Sequence, residues 1–135
     1  MIDNSDSKES FGCERCWPPA ADAAWAAREA LIHVEELIDD THFHVMILGC
    51  SHCTQRFVSV FAEMIDWTDG DDPQYWTILP ITEREAVDLV QQRASLTEAK
   101  LRRLGPGRRC LRRDHAKAAE PQISWGSGMP IGFHD

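Results

Sequence analysis

Cys13 and Cys16 form one Cys-x-x-Cys unit, Cys50 and Cys53 form a second, and 33 residues lie between the two. A thiolate is a soft ligand, and two thiolates in such a unit reach one cation from a single tight turn. Two turns supply four sulfurs, the full shell of a tetrahedral ion. Because that set leaves no position for water or substrate, it favours structure over catalysis. The expectation is one structural Zn2+ on Cys13, Cys16, Cys50 and Cys53, its binding energy of roughly 10 kcal/mol coupled to folding. Cys110 is the remaining cysteine, and its type and position assign it no role.

The same residues allow a rival chemistry. A strand, then Cys-x-x-Cys, then a helix is the layout of a thiol–disulfide active site. If residues 54–66 are helical, Cys50 sits at a helix N-terminus with His52 nearby, and Cys50/Cys53 would be the redox pair. Against this, the chain lacks room for the rest of such a fold, and Cys13 and Cys16 are left unexplained. Other metal-ligating types are scattered. His42 and His44 share one face of a strand, Cys110 and His115 lie five apart without two further ligands, and His52 falls inside the second turn. Asp66, Asp69, Asp71 and Asp72 crowd one turn, but their spacing misses a calcium loop. No phosphate loop, dinucleotide fingerprint, nucleophile elbow or zinc-protease helix is present. No catalytic residues are nominated, and an enzyme is not the expectation.

The elements that must position the cysteines follow from periodicity. Residues 20–39 carry Trp25, Ala26, Leu31, Ile32, Val34, Leu37 and Ile38 near a 3.6-residue period, which predicts a helix. Residues 43–48, 55–66 and 74–79 read as strands, the second also admitting a helical stripe. Asp69-Gly70 and Pro73 place a turn between the last two. Thr82 with Glu85 is a capping box that opens a helix over 82–104, closed by Gly105-Pro106-Gly107. The expected fold is α+β: a small three-stranded antiparallel sheet with zinc knuckles, flanked by two helices. Residues 1–10 read as a disordered tail, 11–104 as the zinc-binding domain, and 105–135 as a basic, then Gly/Pro-rich extension.

The strand entering Gly49-Cys50-Ser51-His52-Cys53 and the strand leaving it resemble the zinc-ribbon class. In that class two knuckles top antiparallel strands. The resemblance covers residues 11–80, and the predicted helix between the knuckles departs from the simplest ribbons. It implies a structural metal and no particular activity.

Charge bounds the partners. The chain is 135 residues long with net charge −8. Residues 1–80 carry 15 acidic against 4 basic side chains, and residues 81–135 carry 7 against 10. Arg102, Arg103, Arg108, Arg109, Arg112 and Arg113 make the second half basic, and arginine's planar fork suits phosphate. Nucleic-acid binding through residues 100–117 is one reading. Neutralisation of the acidic half, within the chain or across a homodimer, is the other. No aromatics interleave the arginines in sequence, so a protein partner is the leading expectation, with Trp17, Trp67, Tyr75 and Trp76 available for core or contact. No apolar run reaches the 18 to 20 or so residues of a membrane span. The polar, acidic start is unlike a signal peptide, so a cytoplasmic setting is expected.

Overall fold

The computed structural model describes residues 10–135. The tail expected over residues 1–10 lies, apart from Ser10, outside them. The described chain forms a six-stranded sheet in the order β1-β2-β3-β4-β5-β6, every neighbouring pair antiparallel. The strands are β1 Ile32–Asp40, β2 Phe43–Gly49, β3 Arg56–Glu63, β4 Gln74–Ile81, β5 Arg109–His115 and β6 Gln122–Ser127. The helices are short: α1 Ala21–Ala27, α2 Glu83–Gln91 and α3 Glu98–Leu101. The expected three-stranded sheet with two flanking helices is therefore corrected to a sheet-dominated α+β fold of twice as many strands.

Three local causes account for the difference. The helix expected over 20–39 stops early, and its second half is β1. Register shifts between His33 and Glu35 and between Glu36 and Ile38 leave Val34 and Leu37 as bulge residues. Each bulge inserts a residue and resets the inward face. Val34 and Leu37 thus reach one core at a three-residue spacing, which imitates a helical stripe. The helix expected over 82–104 is real only at its start. The Thr82 side chain accepts from Glu85 N and the Glu85 carboxylate accepts from Thr82 N, but the helix ends at Gln91. Thr97 caps a new turn by accepting from Lys100 N at 3.2 Å. Finally, β5 and β6 arise from the basic stretch and the segment beyond it, whose charge and glycines hid strand character.

Both faces of the sheet are covered, unequally. Val45, Ile47, Val58, Val60, Leu79 and Ile81 point to one side. There they pack against Leu89 of α2, Leu101 of α3, and Met129 and Ile131 of the C-terminal segment. That segment is tied down where Thr77 Oγ1 donates to Pro130 O at 2.6 Å. On the opposite face Phe57, Ile78 and Leu111 are buried under Cys16, Trp17, Ala24 and Trp25, which belong to the N-terminal turn and α1. Among the described residues, no helix is long and apolar enough to cross a membrane.

Candidate metal centre

The second Cys-x-x-Cys turn is the connection between β2 and β3. Cys50 N donates to Gln55 O at 2.9 Å and Thr54 N to Cys50 O at 3.0 Å, closing the loop tightly enough that Thr54 takes φ +64°. His52 N points at Cys50 Sγ, 3.4 Å away. The first turn is built alike: Trp17 N donates to Cys13 O at 2.8 Å and Cys13 N points at Cys16 Sγ at 3.2 Å. Gly12 precedes it at φ +73°, where a Cβ would meet Trp17 Cβ at 2.7 Å. Both turns aim backbone N–H groups at sulfur, which favours thiolate.

The fold brings all four sulfurs together. Cys13 Sγ lies 3.7 Å from Cys16 Sγ and 3.8 Å from Cys50 Sγ, and Cys16 Sγ lies 3.7 Å from Cys53 Sγ. All four lie within 4.8 Å of one another, an arrangement compatible with one metal ion. Cys16 and Cys50 are buried, while Cys13 and Cys53 are half-buried. The Cys16 N–H pulls the Cys13 thiol down to about 7, while burial pushes Cys16 and Cys53 up. Four thiolates this close would repel one another, and a cation between them would remove that cost.

Contacts outside the sulfurs hold the turns in register. Gln55 accepts from Gly12 N at 2.9 Å and donates to Ile81 O at 2.8 Å, so one amide joins the first turn, the second turn and β4. Arg15 Nη1 and His52 Nε2 meet at 3.1 Å across the two turns. Trp17 packs on Phe57 and Trp125 at 5.2 and 5.0 Å, and Trp125 Nε1 donates to Pro19 O at 2.9 Å. Sequence reasoning missed Gln55 and Arg15, and the one local signal for Gln55 is an amide two residues past Cys53. Trp125 reaches the first turn from across the sheet, a contact that no local pattern specifies.

The other nominated residues go elsewhere. Residues after Cys53 enter β3, so no helix N-terminus activates Cys50. His42 and His44 separate: His42 Nδ1 lies 3.4 Å from Glu63, and His44 joins exposed Glu36 and Asp39. Cys110 is fully buried in the apolar core, and burial raises its thiol. Asp66 organises its own turn, accepting from Thr68 N and Asp69 N at 3.1 Å, and pairs with Lys117 at 3.1 Å. Of the arginines, Arg102 pairs with Glu98, Arg108 with Glu85 at 2.8 Å, and Arg112 with Asp114 at 2.9 Å. Arg103 and Arg109 are exposed. The fold interleaves what the sequence kept apart, since Arg109 stacks over Trp125 at 3.9 Å and Arg113 lies 5.5 Å from both Trp25 and Trp76.

Compared with protein-family models, with curated proteins and with solved structures, the chain matches none. Its chemistry is therefore argued from the site alone.

Proposed function

We propose that the chain is a zinc-stabilised binding module, non-enzymatic, in which the metal holds a surface in place. The convergence of four sulfurs from two turns carries this reading. A regular tetrahedron with Zn–S bonds of about 2.3 Å has edges of about 3.8 Å, and the observed spacings of 3.7 and 3.8 Å agree. Four sulfurs fill that shell, so the ion has no place for a substrate.

The test is elemental analysis of protein purified without added metal, followed by chelation. One zinc per chain and loss of the cooperative unfolding transition on chelation are expected. Iron in its place, or a metal-free protein that unfolds cooperatively and reduces insulin disulfides, would overturn the proposal.

The partner we assign is a protein with a basic surface. Trp67 is 88% exposed and Phe133 82% exposed. Asp135 N donates to Glu63 O at 3.0 Å, and Asp135 Oδ2 accepts from Ile65 N at 2.7 Å. Both aromatics therefore leave the same end of the sheet, beside Asp66, Asp69, Asp71 and Asp72, of which Asp66 and Asp69 already pair with Lys117. Apolar anchors inside a charged rim are the usual anatomy of a protein contact. Capture from lysate should drop with Trp67→Ala and Phe133→Ala together, while zinc content stays at one per chain. Undiminished capture would remove this end as the contact. The thiol-rich centre suits a reducing compartment, consistent with a cytoplasmic setting.

A further inference from the structure

The face of the sheet that carries the cysteine cluster is only partly roofed. α1 lies over β5 and β6, and beside it a concavity of about 480 Å³ opens onto β2, β3 and β4. Its floor is Met46, Leu48, Ser59 and Ile78, and Trp76, Arg28 and the exposed Glu29 stand at its walls. That volume falls within the usual range for small-molecule sites, roughly 300 to 1,000 Å³.

Strand register gives this face a definite order. His44 pairs with Phe61, Phe61 with Trp76, and Trp76 with Arg113, so one cross-strand row runs from imidazole through two aromatic rings to a guanidinium. Phe61 and Trp76 centroids are 4.5 Å apart, and Trp25 from α1 meets Trp76 edge-on at 5.6 Å. Arg28 lies over Trp25 at 3.8 Å, and its Nε is buried without a hydrogen-bond partner. Among the described residues, neither Arg28 nor Arg113 has a carboxylate within ion-pair distance, unlike Arg93, Arg102, Arg108 and Arg112. Burial and the neighbouring Arg113 both disfavour the charge on Arg28, and only exposed Glu29 opposes them. At the other end of the row, Glu36 and Asp39 crowd His44. Arg28 and Arg113 thus gather at one end of the row, with the exposed Glu29 beside Arg28, and Glu36 and Asp39 gather at the other.

We propose that this concavity is a binding site for a small planar ring bearing an anionic group. The ring lies against Trp76 above the apolar floor, and the carboxylate or phosphate takes the forks of Arg28 and Arg113. Guanidinium suits both anions because its paired N–H groups match two oxygens at once. The acidic end of the row repels the anion and sets the ligand's direction. This inference does not depend on which metal fills the cysteine cluster.

The test uses the full chain with its metal and two probes, indole carboxylate and adenosine monophosphate, with uncharged indole as the control. Saturable shifts of backbone amide resonances at Arg28, Ser59 and Trp76 are expected for at least one anionic probe, and the stronger of the two identifies the preferred anion. Arg28→Gln and Arg113→Gln should each weaken binding at least about tenfold, the value of a charge-assisted hydrogen bond. Arg84→Gln, exposed on α2 over the opposite face of the sheet, should leave it unchanged. Several results would overturn the proposal: no saturable shifts with either anion, shifts centred elsewhere, indole binding as well as its carboxylate, or a single-stranded oligonucleotide occupying this face instead. The resonance map of the unmutated protein decides the matter should a variant fail to fold.

Discussion

Replacing Cys50 with serine leaves three sulfurs facing one another where four had closed a shell, while replacing Cys110 touches no ligand. The two substitutions separate metal binding from packing. Cys50→Ser should lose the stoichiometric metal that elemental analysis is expected to find in the parent. Cys110→Ser should keep it and lose about 1–3 kcal/mol in denaturant unfolding, because a hydroxyl then sits in the apolar core. Gln55 is a subtler residue, since its amide serves Gly12 N and Ile81 O at once. Gln55→Ala orphans both groups, and a loss of about 1–3 kcal/mol is expected with metal content unchanged. Weaker zinc retention against a chelator would show that the clamp also shapes the site.

At the scale of elements, β1 carries the lesson of the fold. Its bulges send Leu37 into the core beside Phe43 and Val45, while Glu36 stays exposed. Leu37→Ala should cost about 2–5 kcal/mol in denaturant unfolding, and Glu36→Ala should stay within about 0.5 kcal/mol of the parent. A helix over 20–39 would place these neighbours differently, and equal costs would contradict the strand. The β2–β3 connection shows the complementary case. Its hairpin is short because the cysteine turn is itself the loop, so strand pairing and sulfur placement are one event. Pairing of β2 with β3 places Cys50 and Cys53 at the top of the sheet, where the Gln55 clamp holds the first turn against them.

For the whole molecule, pH reports how the ends are fastened. Burial lowers the His134 pKa, but the Glu98 carboxylate at 2.8 Å and the Asp135 carbonyl outweigh it, and the net shift is upward. A raised histidine contributes stability that is complete below its unfolded pKa and lost as pH rises through the folded one. His134 stacks on Phe43 at 4.4 Å, so the C-terminal segment should loosen as pH climbs past neutrality. Hydrogen exchange at Met129–Asp135 against pH measures this, and His134→Gln should flatten the profile. The carboxylates act in the opposite sense. Hydrogen bonding from His134 lowers Glu98, and Arg108 lowers Glu85 against the pull of burial. Their contribution is present above the ordinary carboxylate range and disappears as pH falls through the depressed values. Stability should therefore decline on both flanks.

The two Cys-x-x-Cys units, the Thr82 capping box, the Asp69-Gly70 turn and three of the strands were legible in the chain because each is local. Spacing and turn chemistry within a few residues decide them. The layout of β1 was not, since a doubly bulged strand and a helix place apolar residues at the same three-residue interval, and only pairing with β2 distinguishes them. Nor were β5 and β6, whose apolar content is thin. They become strands because β4 offers an edge and because α1 and Trp17 cover one side. The sulfur set was nominated from spacing alone, yet its closure rests on Gln55, Trp17 and Trp125, through contacts 43 positions apart from Gly12 to Gln55 and 106 apart from Pro19 to Trp125. Sequence determined which atoms can bind a metal. Tertiary structure decided that they converge, and that arginines and aromatics distant along the chain share one open face, because both depend on contacts no local pattern encodes.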